Sequence, residues 1–152
     1  MTGDPHEQIH ATCVAIGGEG IVLRGPSGSG KSDLALRLIG AGARLVADDR
    51  VDLSLAGDRL HAAAPENLFG MIEVRGLGIL RLPAAPAAPV ALVCDLVTAG
   101  EIERLPEPRE VSLLGRTVCA VSLTPFQASA VTKVQLALGL ATSAIMRVDD
   151  AT

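Results

Sequence analysis

The stretch LRGPSGSGKSDLALRL, residues 23–38, places a glycine-rich loop between an apolar run and a helix-like run. Its centre fits the pattern GxxxxGK[ST], in which glycines let successive backbone N–H groups converge on phosphate oxygens. The following helix adds its positive N-terminal end. We expect Lys31 to reach the outer phosphates of a nucleoside triphosphate and the Ser32 hydroxyl to bind magnesium. The loop residues are Gly25, Pro26, Ser27, Gly28, Ser29, Gly30, Lys31 and Ser32.

The runs around this loop predict a single α/β domain over residues 1–152, with 1–8 as a flexible tail. Helical spacing of Leu34, Ala35 and Leu38 predicts a helix from Ser32 to Gly40. We expect a P-loop kinase-type fold with a mixed, partly parallel sheet and flanking helices. The other predicted elements are hairpins over 13–25 and 51–64, strands over 43–49 and 90–97, a short helix and glycine-punctuated segment over 65–83, a proline-rich surface loop over 83–90, a loop with one or two strands over 103–123, and a C-terminal helix over about 126–146.

The composition excludes several classes of protein. The formal net charge is -4 and no basic stripe is present, which argues against a nucleic-acid partner. No uncharged apolar run reaches the roughly 18 residues of a membrane span, and the polar start MTGDPHEQIH is no signal peptide, so we expect a cytoplasmic protein. The three cysteines have no metal-ligand spacing and stand in apolar runs, which predicts small buried residues and no zinc site.

Two apolar strands end in acids. The run LVADD supplies Asp48 and Asp49, and VALVCD supplies Asp95. Adjacent aspartates favour divided roles, in which one carboxylate serves the magnesium shell and the other accepts a proton from an attacking hydroxyl. The alternative is that both acids simply face solvent. For Asp95 we favour a structural or solvent-facing role.

The stretch MIEVRGLGIL, residues 71–80, is unusual for a core strand because it carries both charges and two glycines. Together with GPSGSGKS and RLVADD in this order, it resembles the HPr kinase/phosphorylase family. The resemblance runs from about His10 to Leu138 and covers the catalytic domain only, like the compact forms of some proteobacteria. The matched signature region is Ile72, Glu73, Val74, Arg75, Gly76, Leu77, Gly78, Ile79, Leu80 and Arg81.

This resemblance implies an ATP- and Mg²⁺-dependent kinase that phosphorylates a serine of HPr, the phosphocarrier of the sugar phosphotransferase system. The family also removes that phosphate, using inorganic phosphate and releasing pyrophosphate, and it forms hexamers. By the same resemblance Asp49 takes the serine proton and returns it in the reverse reaction, Glu73 binds magnesium, and His10 and Arg104 contribute to the site. Lys31 and Ser32 match the phosphate-loop pair, and Asp48 is left for the magnesium shell.

Several assignments stay open at this point. His10 has a second interpretation, in which it only orients a carboxylate or the loop. Arg75 has two, a phosphate contact or a carboxylate pair, and we expect His6 and His61 on the surface.

The segment TPFQASAVTKVQLAL, residues 124–138, departs from the family. It lacks the Gly-Arg-Asn tied to dephosphorylation, and Lys133 is its only cation. An ammonium is a poor substitute for a guanidinium, so the phosphorylase activity stays open.

Two rival functions fit the loop alone. A P-loop kinase of a small molecule or nucleotide needs a lid with arginines, which this chain does not cluster, and EVRGLG argues against it. A non-catalytic ATP-sensing module has no need of a proton acceptor, whereas Lys31, Ser32, Asp49 and Glu73 are all present.

Overall fold

The computed structural model describes residues 5–148, and this part of the chain forms eleven strands and two α-helices. In chain order they are β1 (His6–Ile9), β2 (Thr12–Ile16), β3 (Glu19–Arg24), α1 (Lys31–Gly40), β4 (Arg44–Ala47), β5 (Val51–Ala56), β6 (Arg59–Ala63), β7 (Met71–Val74), β8 (Gly78–Arg81), β9 (Ala88–Leu96), β10 (Arg109–Leu113), β11 (Arg116–Leu123) and α2 (Ala130–Ala141).

Nine of these strands form one sheet in the order β1-β5-β6-β9-β3-β2-β4, and β11 joins at β9 with β10 beside it. The strands β3 and β11 each pair with β9 in parallel, and β2 is antiparallel to both β3 and β4. The strand β4 therefore runs in the same direction as β3, so β3, β4, β9 and β11 end at one edge. This mixed, partly parallel sheet confirms the predicted α/β fold.

Two hydrophobic clusters hold the sheet from its two faces. On one face α1 and α2 bury Leu34, Leu38 and Val134 against Leu23 of β3. On the other face, side chains such as Val22 pack towards the β5–β6 hairpin. Each large aliphatic side chain contributes about 1.5–3 kcal/mol on full burial, so a core without tyrosine or tryptophan still supports the domain.

A third cluster fixes the β7–β8 hairpin, which stands apart from the main sheet. Ile72 and Val74 are buried against Leu45 of β4 and Ala84. This packing places the signature region beside the end of β4.

The predicted boundaries of the C-terminal helix differ from those in the structure. The C-terminal helix covers Ala130–Ala141 rather than 126–146, because Ser143 adopts a left-handed φ of 62° and the chain turns back. The Ile145 side chain then packs over Gly139. The apolar periodicity continues through this turn, which is why it looked helical.

Two segments that were predicted to be a flexible tail and a surface loop form backbone pairs with strands. The tail predicted over 1–8 contains β1, which pairs with β5; residues 1–4 lie outside the described part. In the proline-rich segment over 83–90, Ala84 bridges Leu45 and β9 already begins at Ala88. Backbone pairing overrides the composition in both places.

The cysteine prediction is correct for two residues of three. Cys13 and Cys94 are buried, and burial raises the pKa of the Cys13 thiol to about 12. Cys119 is exposed, because its side chain points away from the core on the alternating strand β11.

No helix within residues 5–148 is long and apolar enough to cross a membrane.

Asp95 has a structural role rather than a solvent-facing one. Arg24 donates two hydrogen bonds to its carboxylate, at 2.8 and 3.1 Å, and Arg109 donates a third at 3.0 Å. Partial burial raises the pKa of Asp95, but the hydrogen bonds and charges of both arginines outweigh it and hold the pKa below its usual value. The ionised carboxylate thus ties β9 to the strand that leads into the phosphate loop.

We predict that Asp95→Asn destabilises the protein by about 1–2 kcal/mol at neutral pH, since it weakens charge-assisted hydrogen bonds. A depressed folded-state pKa stabilises above the unfolded pKa of about 3.9 and loses this contribution as pH falls through the folded value. The difference in unfolding free energy between wild type and variant should therefore shrink below about pH 4. Urea unfolding from pH 3 to 7 measures it, and a pH-independent difference would contradict the ionised network.

Candidate active site

The phosphate loop leads from β3 into an uncapped helix. Gly30 at the N-cap has a φ of 100°, and no side chain of the described residues caps α1. The N–H groups of its first turn are therefore available to an anion. Lys31 is buried, and its Nζ donates to the carbonyl oxygens of Gly25 at 2.7 Å and Pro26 at 3.1 Å. The ammonium is held against the loop that would surround the phosphates.

Phe126 lies against this loop, which sequence reasoning missed. A Cβ at Gly30 would stand 2.8 Å from Cζ of Phe126 and 3.1 Å from Cγ of Pro125. Arg37 of α1 also donates to the carbonyl oxygen of Pro125. The turn after β11 therefore packs closely against the phosphate loop. The feature of the sequence that could have indicated a role for Phe126 is that it is one of only two phenylalanines in a chain without tyrosine or tryptophan.

We predict that Gly30→Ala weakens nucleotide binding by about tenfold or more, because the methyl group must displace Phe126 and the positive φ is strained by about 1–3 kcal/mol. Gly42→Ala is the matched control: its φ is 111° but a Cβ there meets nothing within 4 Å. The control should lose a similar amount of stability and keep its affinity. Calorimetric titration with ADP checks both variants, and equal affinities would show that the contact with Phe126 is dispensable.

Asp48 connects the loop to the end of β4. Its Oδ1 accepts hydrogen bonds from Ser32 Oγ at 2.7 Å and from Thr12 Oγ1 at 3.1 Å. Its Oδ2 accepts from the backbone N–H of Glu73 at 3.4 Å. Thr12 is fully buried and was missed from the sequence, although a hydroxyl in the apolar run ATCVAI was a usable signal. This carboxylate therefore joins three segments that are far apart in sequence.

Asp49 faces the cavity in a different environment. Its side chain is 61% exposed, and Oδ1 lies 2.6 Å from Nε2 of His10. An ionised carboxylate only accepts, so His10 donates this hydrogen bond through Nε2–H. Asp49 has a φ of 70°, a left-handed conformation that Asp and Asn tolerate better than most residues. The two adjacent acids thus have different partners, as their predicted division of roles requires.

The phosphate loop, both aspartates and His10 line one cavity of about 680 Å³. Arg75 and Ile79 of the β7–β8 region also line it, and none of the described contacts gives Arg75 a hydrogen bond or a carboxylate partner. The sequence-predicted residues that line the cavity are His10, Ser27, Gly28, Gly30, Lys31, Ser32, Asp48, Asp49, Ile72, Glu73, Val74, Arg75 and Ile79.

Other predicted residues lie elsewhere. Arg104 is exposed in the segment between β9 and β10 and does not line the cavity. Within the part of the chain that the structure describes, it therefore does not join the predicted site. Arg81 at the end of the signature donates to the carbonyl oxygen of Phe69 and braces the hairpin. Lys133 is exposed on α2, and its Nζ donates to Oε1 of Gln127 at 2.8 Å.

The residues around Ser32 fit a magnesium ion. Within residues 5–148 no group of three or more His, Cys, Asp and Glu side chains could hold a metal by itself. Magnesium in kinases uses one or two carboxylates together with substrate phosphates and waters, so it needs no such cage. The Ser32 hydroxyl and the Asp48 carboxylate are in contact, and Glu73 lines the same cavity. These three residues would hold the ion.

Comparisons with known proteins identify the family of the chain. The family described as HPr Serine kinase C-terminal domain matches residues 4–85. An HPr kinase/phosphorylase of Clostridium tetani is 43% identical over 101 residues, which cover 66% of this chain and 32% of the relative. One from Clostridium acetobutylicum is 49% identical over 80 residues, covering 53% and 26%. The chain thus spans a third or less of the length of the curated relatives it matches.

A solved structure extends the similarity over most of the described chain. The Hpr(Ser) kinase/phosphatase from Coxiella burnetii matches with a TM-score of 0.76 and 25% sequence identity. The match covers 91% of this chain and 96% of that one. The segments after residue 85 therefore share this architecture even where the family match has ended.

Proposed function

Since the chain belongs to the family of the HPr serine kinase C-terminal domain, we propose that it transfers the γ-phosphoryl group of ATP to a serine of an HPr-type phosphocarrier protein. The observation that carries this proposal is the Asp49–His10 pair, at 2.6 Å, in the same cavity as Lys31 and Ser32. A proton acceptor beside a phosphate loop suits transfer to a hydroxyl. A module that only senses ATP has no need of a proton acceptor.

Each residue then has a chemical task. Asp49 accepts the proton of the attacking serine hydroxyl, and His10 holds that carboxylate in place. Lys31 and the N–H groups of α1 stabilise the negative charge on the transferred phosphoryl group. A magnesium ion held by Ser32, Asp48 and Glu73 would neutralise phosphate charge when bound. Within residues 5–148 no carboxylate pairs with Arg75, which favours a phosphate contact over its alternative pairing.

The rim of the cavity supports a protein acceptor. Ile79 and Phe126 line the cavity and are 65% and 68% exposed, and Leu77, in the turn of the same hairpin as Ile79, is 73% exposed. Single exposed apolar side chains are ordinary, but two that line one cavity, with a third in the adjoining hairpin turn, form a surface that a protein partner can bury. A kinase of a small molecule would instead enclose its acceptor. This observation disfavours the small-molecule rival.

We expect the reverse, phosphorolytic reaction to be slow. Attack by inorganic phosphate on phosphoserine brings two anions together and needs additional cations. In residues 124–138, which follow β11, Lys133 is the only cation, and it is bonded to Gln127 outside the cavity. Among the residues that the structure describes, Lys31 and Arg75 are the lysine and arginine side chains that line the cavity.

Phosphotransfer from labelled ATP tests the proposal. The purified protein is mixed with magnesium and either the cognate HPr or its nitrogen-system paralogue, each also as a serine-to-alanine variant. Label on the serine of one carrier, absent from its alanine variant, is expected. Adding inorganic phosphate afterwards should release little pyrophosphate. Label on a nucleoside or sugar would support the small-molecule kinase, and ATP binding without transfer would support the sensor.

We also propose that the protein self-associates, as the resemblance to a hexameric family implies. Leu136 and Met146, on and after α2, are 52% and 62% exposed and offer apolar surface for such contacts. Arg104, which does not line the cavity of its own chain, is a candidate for a site shared between subunits.

A further inference from the structure

A second cavity, of about 340 Å³, lies near the carboxyl end of β11. The strand β10 covers β11 only as far as Ala120, so the edge of β11 at Val121 and Ser122 is free of β10. The segment after β9 closes the other side with Ile102, Pro106 and Pro108. This cavity shares no lining residue with the first.

The strand order places the two cavities on opposite sides of the phosphate loop. The loop follows β3; β4, which carries the acids, lies two strands away, and β11 lies two strands away on the other side. Strands are about 4.8 Å apart, so each site is roughly 10 Å from the loop along the sheet edge. Ligands of such sheets bind beyond the carboxyl ends of the strands. A nucleotide whose terminal phosphate faces Asp49 would extend its other end towards β11.

Direct contacts join the second cavity to the loop. Arg109 lines the cavity and donates to Ser122 Oγ at 3.1 Å and to Asp95 at 3.0 Å. Asp95 in turn accepts from Arg24, which directly precedes the loop. The cavity wall and the start of the phosphate loop are thus fixed relative to each other.

The lining suits an uncharged group rather than a phosphate. It combines apolar surface from Ile102, Pro106 and Val121 with three carboxylates, those of Glu101, Glu103 and Glu107. Two guanidinium groups, of Arg109 and Arg147, also line the cavity, but Arg109 already donates to Asp95 and Ser122, and Arg147 has an interaction of its own within the protein. Carboxylates repel phosphates but accept hydrogen bonds from hydroxyl and amino groups. A nucleoside has an apolar ring face, ribose hydroxyls and, in adenosine, an exocyclic amino group.

We propose that this second cavity binds the nucleoside half, ribose and base, of the nucleotide whose phosphates occupy the loop. The inference rests on the proposed function, because it needs a nucleotide in that loop. It adds a site for base and ribose, built from the segment after β9 and the free edge of β11.

Comparison of ADP with inorganic pyrophosphate separates the two halves of the ligand. Calorimetric titration of the full chain with each, in magnesium, should give an ADP affinity at least about tenfold higher, since pyrophosphate lacks the nucleoside. Ser122→Phe fills the cavity and should weaken ADP by about tenfold while pyrophosphate changes less than about twofold. Ser112→Phe is the matched control, an exposed serine on β10 outside the cavity, and should leave both affinities unchanged.

Hydrogen exchange provides a test that needs no variant. The amides of 101–109 and 120–122 should be protected more by ADP than by pyrophosphate. Equal affinities of the two ligands, or ADP binding that Ser122→Phe leaves unchanged, would overturn the second site and leave the kinase proposal standing. Failure of both ligands to bind the wild type would overturn the phosphate-loop assignment and the nucleoside site with it.

Discussion

Asp49→Asn is expected to lower the rate of phosphoryl transfer by about 10²–10⁴-fold while leaving the affinity for ATP nearly unchanged, because general-base catalysis contributes that much. The amide has the shape of the carboxylate but cannot accept the serine proton. The residue touches no part of the loop in the described contacts, so nucleotide binding should not depend on it.

The backbone conformation at residue 49 accommodates asparagine as well as aspartate. Asp49 has a φ of 70°, and Asn tolerates the left-handed region as well as Asp does. The amide oxygen can still accept the hydrogen bond from His10. A loss of rate can therefore be attributed to the lost charge rather than to backbone strain.

Single-turnover transfer from ATP to HPr, together with calorimetric ATP binding, measures both quantities. Asp58→Asn is the control: Asp58 is exposed in the turn between β5 and β6, away from the cavity, and should transfer at the wild-type rate. An unchanged rate in Asp49→Asn would remove this carboxylate from the chemistry and leave Asp48 as the candidate base.

Lys31→Ala is expected to reduce both binding and turnover. The ammonium is the one buried cation of the described residues, and its removal takes away charge neutralisation and two hydrogen bonds that close the loop. We expect ATP affinity to fall by about tenfold or more and transfer by more than about 10²-fold, since electrostatic groups at a reacting phosphate contribute on this scale.

The other lysine of the chain is a matched control. Lys133 is exposed on α2 and bonded to Gln127, so Lys133→Ala should bind ATP and transfer phosphate like the wild type. Thermal unfolding of both variants separates loss of function from loss of fold. Normal ATP affinity in Lys31→Ala would contradict the phosphate-binding role of the loop.

The sequence predicted well what short segments determine on their own. The strand β3, the loop and α1 follow one another without interruption, and glycines at positive φ together with helical spacing encode the whole unit. The β5–β6 hairpin was correct for the same reason. The acids at the end of β4 were found because they interrupt an apolar strand.

Contacts between distant segments were harder to predict. Thr12 meets Asp48 across 36 residues, and Phe126 reaches Gly30 from the far end of the chain. Neither carries a motif, so only the three-dimensional structure brings them to the site. The resemblance to a family supplied His10, which lies 39 residues from Asp49. It also supplied Arg104, which none of the contacts within residues 5–148 joins to the cavity.

The position of Phe126 against the phosphate loop has an optical consequence. The chain contains no tryptophan or tyrosine, so it is nearly silent in near-ultraviolet absorbance and fluorescence. A tryptophan placed at Phe126 would be the sole emitter, in contact with the helix end where phosphates are expected. Ligand entry and acceptor docking could then be followed as changes in emission against a dark background, with no label attached.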